Sequence, residues 1–128
     1  MKILLDTCTF LWWISDAVEL SRRARELCLD PENDVVVSVV SHWEITIKWQ
    51  LGKLPLPEPP DRFVPDQRRA HGFATLAIDE AAIGTMGRLA PLNRDPFDRL
   101  LVAQAIAEGM ILLTPDAQIA RYPVRAEW

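Results

Sequence analysis

The sequence predicts an α/β fold on a central, mainly parallel sheet, and three observations carry that reading. Short apolar runs at Lys2–Leu5, Val35–Val39, Ala74–Ala77 and Met110–Thr114 read as strands. Helical patterns, rather than two-residue hairpin turns, separate them, which is the connection that parallel strands require. The 128 residues are 49% hydrophobic and 25% charged, the balance of a globular chain and, at this length, of a single domain spanning 1–128. Disordered, collagen-like and low-complexity classes are excluded.

Taken in order, the opening run closes at Asp6 and leads into a helix bearing Trp12 and Trp13. Adjacent helical residues point about 100° apart, so one of this pair is expected at an interface. Ser21 caps a helix over Arg22–Leu29, stopped by Pro31. Ser41 is expected to cap a helix that runs through Leu51 to Gly52, with Trp43 and Trp49 in the core. Pro55, Pro57, Pro59, Pro60 and Pro65 are half of the ten prolines and predict a loop. Asp79 caps a helix to Leu89, closed by Pro91. The clearest start is Asp95, followed by Pro96 at the first helical position, the apolar body LLVAQAIA and Gly109 as terminator. Asp116 opens a short turn to Arg121.

The amino-terminal run is not read as an export signal, because Asp6 interrupts it and no small-residue cleavage site follows Ile14. No stretch reaches the ~20 apolar residues that cross a bilayer. Cys8 and Cys28 are too few for a disulfide framework and are expected as reduced thiols. The expectation is a cytoplasmic protein without a membrane partner. A net charge of −4 is the reverse of a simple nucleic-acid binder's basic footprint.

The acids qualify that last inference. Open α/β sheets bind ligands beyond the carboxyl ends of their strands, and four carboxylates fall there. Asp6 ends the first strand, Asp116 follows the last, Glu44 stands in the first turn after the second, and Asp98 opens the helix before the last. Each has a structural explanation too. Asp6 and Asp116 suit helix caps, and Glu44 completes a capping box with Ser41 and reaches Lys48 four residues on. Asp98 is harder to explain that way, since Leu101, Val102 and Ala105 put it on a core-facing stripe. Asp95 aligns with Arg99 and reads as a cap with a local ion pair.

Two carboxylates ~4 Å apart repel by roughly 4 kcal/mol at an effective dielectric near 20, so four converging acids would strain the fold or take up protons. A divalent cation removes the conflict. All-oxygen donors suit Mg²⁺ or Mn²⁺, while His42 and His71 lack the spacing of zinc ligands. Such a site positions and hydrolyses a phosphodiester. Four acids occupied by metal account for the whole net charge of −4, so a polyanionic substrate is again admissible. Arginine suits bidentate phosphate contacts, and Arg94 and Arg99 are candidates for them.

The strings LLDT (Leu4–Thr7), SHWEI (Ser41–Ile45), DPFDRLLVAQA (Asp95–Ala105) and LLTPD (Leu112–Asp116) resemble the PIN-domain ribonucleases, and more narrowly the VapC toxins of type II toxin–antitoxin modules. They run over nearly the whole chain in the family's order, and DPFDRLLVAQA is the most specific. The resemblance implies a three-layer α/β/α sandwich and an acidic pocket that holds Mg²⁺ or Mn²⁺ for endonucleolytic RNA cleavage, leaving 5′-phosphate and 3′-hydroxyl ends. By position Asp6, Glu44 and Asp98 match the three core acids and Asp116 the fourth, with Asp95 auxiliary and Thr7 and Thr114 at the hydroxyl positions. It also implies a homodimer and a cognate antitoxin partner. Asn93 departs from the pattern, which often carries His before RDPFD.

Other chemistries fit less well. A dehalogenase-type phosphatase needs a second Asp where Cys8 stands, and neither a P-loop nor a G-x-G-x-x-G string is present. A receiver-type phosphoacceptor also clusters acids beyond strand ends, but no convincing lysine ends a late strand here, and it stays a minor, non-enzymatic alternative. The stronger rival is a catalytically inactive PIN fold that serves as a protein-binding module.

Overall fold

The computed structural model describes residues 1–128. Its elements run β1 (Lys2–Leu5), α1 (Thr7–Ser15), α2 (Arg22–Leu29), β2 (Asp34–Ser38), α3 (Val39–Gln50), α4 (Pro60–Ala70), β3 (Ala74–Leu76), α5 (Glu80–Arg88), α6 (Pro96–Glu108), β4 (Ile111–Leu113), a 3-10 turn (Ile119–Arg121) and β5 (Ala126–Glu127). All four pairings in the sheet are parallel, and the strand order is β3-β2-β1-β4-β5. β1 is central, with Leu4 opposite Val36 on one side and Leu112 on the other.

Alternation along the strands divides the core into two layers. Ile3, Leu5, Val35, Val37, Ile111 and Leu113 point to a layer closed by Phe10, Leu27 and Phe63 from α1, α2 and α4. Leu4, Val36 and Leu112 point the other way, against Leu101, Val102 and Ala105 of α6. Strands buried on both faces read as unbroken apolar runs, which is why these were visible in the sequence.

Four expectations are corrected. Ser38, not Ser41, caps α3: its hydroxyl accepts from Val40 N at 3.0 Å, because the strand ends one residue early and the helix begins at Val39. Ser41 is buried instead, so the capping box with Glu44 does not form. The proline-rich stretch is only partly a loop, since Pro60 supplies the first residue of α4, where a missing N–H costs nothing, and Pro65 lies inside that helix. Trp12 and Trp13 both pack on one core layer, Trp12 against Trp128 (5.8 Å) and Trp13 against Phe73 (6.0 Å). Trp43 and Trp49 are the exposed pair, at 48% and 37%, because α3 buries Val40, Ser41, Glu44 and Ile45 instead. The two-residue β5 carries no apolar run and was not anticipated. No helix is long and apolar enough to cross a membrane.

Candidate acidic site

Strands leave β1 in one direction through β2 and β3 and in the other through β4, so the order reverses between β1 and β4. At such a switch point the loops beyond the strand ends diverge and leave a crevice. Here it is a cleft of about 400 Å³ lined by Asp6, Thr7, Cys8, Glu44, Lys48, Lys53, Asp95, Asp98 and Asp116, with Leu11 and Leu54. All four acids expected at element ends line it, and so does Asp95.

Asp6 is 4% exposed and does two things at once. Its Oδ1 accepts from Thr9 N at 2.8 Å, capping α1, and its Oδ2 accepts from the Thr114 hydroxyl. The cap explanation is therefore true without excluding a place in the cleft. Thr114 Oγ1 also accepts from Asp116 N at 3.1 Å, tying the ends of β1 and β4 together. Glu44 is 5% exposed. It accepts from the Thr7 hydroxyl at 2.7 Å and holds Lys48 Nζ at 2.6 Å. The hydrogen bond to Glu44 is the main reason the Lys48 ammonium is held above its usual pKa.

Asp98 and Asp95 enter from the first turn of α6. Asp95 Oδ1 caps that helix, accepting from Phe97 N at 2.9 Å and Asp98 N at 3.2 Å. Asp98 is pushed up to about 7, first by burial, then by the charge of Asp95, with Glu44 and Asp116 adding to it. Asn93 opposes that rise: its Nδ2 donates to Asp98 Oδ2 at 3.2 Å, while its Oδ1 accepts from Asp95 N at 2.9 Å. Its backbone N–H donates to the Tyr122 hydroxyl at 2.9 Å. The residue that departs from the motif thus orients two of the acids.

Neither expected arginine lines the cleft. Arg99 does not pair with Asp95. Its guanidinium donates to the carbonyls of Ala90 (3.0 Å), Met86 (3.2 Å) and Leu89 (3.4 Å), holding the end of α5, and to the Tyr122 hydroxyl at 3.1 Å. Arg94 is exposed on the turn before α6. The cations that do line it, Lys48 and Lys53, were not foreseen as substrate contacts. Gly52, read as the end of α3, was the signal, because it turns the following lysine back towards the helix.

The residues fit a hydrated hard cation. Their donors are carboxylate oxygens, and Asp98 is held above its ordinary range, first by burial and then by the charge of its acidic neighbours. No three His, Cys, Asp or Glu side chains stand close enough together to hold a metal ion among them, so direct ligation by more than one or two of the acids would need side-chain movement or bridging water. Mg²⁺ does not need a closed cage, since it keeps several waters and takes one or two carboxylates.

A family model described as the PIN domain matches residues 3–124. The chain belongs to the PIN-domain family. It is similar to Ribonuclease VapC16 of Mycobacterium tuberculosis, 40% identical over 65 residues, which is 51% of this chain and 46% of that one. The chain thus matches less than half the length of that relative. It is also similar to Ribonuclease VapC22 of the same organism, 26% identical over 118 residues, 91% of this chain and 88% of the other. Two solved structures share the PIN fold: VapBC2 from Rickettsia felis bound to a promoter DNA fragment (TM-score 0.76, 17% identity, 100% and 99% of the two chains) and DNA-bound VapBC from Salmonella typhimurium (0.70, 20%, 99% and 97%).

Proposed function

We propose that this PIN domain is a Mg²⁺- or Mn²⁺-dependent endoribonuclease, the toxin of a toxin–antitoxin pair, inhibited by a cognate antitoxin and acting in the cytoplasm as a homodimer. The observation that carries the reading is that acids from four separate parts of the chain line one cleft at the sheet's switch point. The names of the relatives, ribonucleases, and of the structural neighbours, VapBC complexes, support it. Exposed Trp43 and Ile47 on α3 and Leu51 at its cap, each four residues from the last, support a protein interface.

Asp6, Glu44 and Asp98 would hold the cation, with Asp116 as a weaker or water-mediated ligand and Asp95 setting the orientation of Asp98. A bound divalent cation supplies Lewis-acid charge to the phosphodiester and acidifies water for in-line attack. Thr7 and Thr114 keep Glu44 and Asp6 aimed into the cleft through the hydrogen bonds described above. Asp98, held above its ordinary pKa, would favour its charged form beside a cation, and Lys48 neutralises part of the charge of Glu44. A binding module without activity would have no need of so many mutually repelling carboxylates in one cleft.

The test is incubation of purified protein with structured RNA in Mg²⁺, then with chelator. Cleavage is expected only with the metal, and Asp6→Asn or Asp98→Asn should lower it by at least ~100-fold, the scale of losing a group that acts on the reacting phosphate. Absence of cleavage under both conditions, with Asp6→Asn indistinguishable from wild type, would return the protein to the binding-module reading.

A further inference from the structure

The geometry points to Lys53 as the phosphate contact of the acidic cleft, the side chain that holds a nucleic-acid backbone beside carboxylates that repel it; this rests on the ribonuclease reading above. A polyanion approaching Asp6, Glu44, Asp95, Asp98 and Asp116 meets repulsion that a cation at the acids offsets only in part. Two lysines line the same cleft. Lys48 is taken up by Glu44 at 2.6 Å. Lys53 is exposed and belongs to none of the five ion pairs of the chain.

The backbone of Lys53 is nevertheless fixed. After α3 the chain turns through Gly52 at φ +71, where a side chain would be strained. Gly52 N donates to Trp49 O at 3.0 Å and Lys53 N to Lys48 O at 2.9 Å. This is the paired bond pattern of a Schellman turn, and it satisfies two end carbonyls of the helix. The next residue, Leu54, packs against the core layer with Leu56. Lys53 therefore has a backbone held on both sides and an exposed ammonium with no ion-pair partner lining the cleft, the arrangement a point-charge phosphate contact needs. Arg94 and Arg99, the residues composition favoured for that task, lie outside the cleft.

The experiment is steady-state cleavage of a single-stranded RNA oligonucleotide by the full chain in Mg²⁺, for wild type, Lys53→Gln and Lys53→Arg, at several salt concentrations. Lys53→Gln should raise KM by about tenfold, the loss of one charge-assisted bond, with kcat changed by less than about twofold. The slope of log KM against log salt should fall by about 0.7, one phosphate contact on a single strand, and Lys53→Arg should restore most of both. Mn²⁺ should bind Lys53→Gln no more weakly than wild type. An unchanged KM and salt slope together with tighter Mn²⁺ binding would make Lys53 only a counter-ion of the acids and overturn the assignment, as would a loss confined to kcat. Fluorescence anisotropy of labelled RNA on the Asp98→Asn background separates the two levels. Wild type that never cleaves, with binding that still depends on Lys53, defeats the ribonuclease reading alone, whereas equal binding by Lys53→Gln defeats the assignment to Lys53.

Discussion

Asp98 is where the conflict among the acids is concentrated. Its folded pKa of about 7 lies above the ordinary 3.8, so the folded protein binds a proton there that the unfolded chain has already released. That contribution to stability is complete below about pH 4 and is lost as pH rises through about 7. Asp98→Asn keeps the shape without the charge. Thermal melts of metal-free protein should show little difference between variant and wild type at pH 4, and the variant increasingly the more stable towards pH 7 and above. A gap that closes with rising pH would contradict this. Asn93→Ala removes the donor that opposes the rise, so the acid limb of the Mg²⁺-dependent activity should move to higher pH, read from the pH–rate profile. In the sequence, the acids at strand ends were legible because placement beyond a strand is a one-dimensional fact. The partnership of Asn93 with Asp98 and Asp95 was not, because it depends on how the turn before α6 folds back on Tyr122.

Between elements, the joint that sets α3 against α6 is Ser38. Its hydroxyl caps α3 and also donates to Gln104 Oε1 at 2.5 Å, while Gln104 Nε2 donates to Ala77 O at 3.1 Å. Gln104 is 1% exposed, so an acceptor stripped of its donor finds no water to replace it. Ser38→Ala should cost about 2–3 kcal/mol in denaturant unfolding, combining a lost cap with a stranded buried acceptor. In a double-mutant cycle with Gln104→Ala the two changes should be non-additive by about 1 kcal/mol. Additivity would mean that the bond contributes nothing. The same joint explains where sequence reasoning slipped. Ser38 and Ser41 are both capping residues, and only the length of β2 decides between them. The prolines likewise marked a boundary but not that one of them would start α4. Trp43 and Trp49 are apolar, yet on α3 they border the stripe that buries Val40, Ser41, Glu44 and Ile45 on its two sides, which a count of apolar residues does not reveal.

For the whole molecule, the cleft is a consequence of strand order. Parallel pairing of β1 with both β2 and β4 brings residues as distant as Asp6 and Asp116 together, so a change deep in the sheet should reach the acids. Leu112 is 0% exposed between Leu4 and the α6 layer. Leu112→Ala should destabilise by about 3 kcal/mol, measured by denaturant unfolding. The parallel α/β class was legible because buried strands are continuous apolar runs separated by capped helices. The edge strand β5 was not, since two residues leave no pattern. Isothermal titration of metal-free protein with Mn²⁺ measures whether these dispersed acids act as one cation site. Wild type should bind, with uptake of the released proton by the buffer near pH 6.5, and Asp6→Asn/Asp98→Asn should not. Equal binding by the double variant, or no binding by wild type, would contradict a shared site.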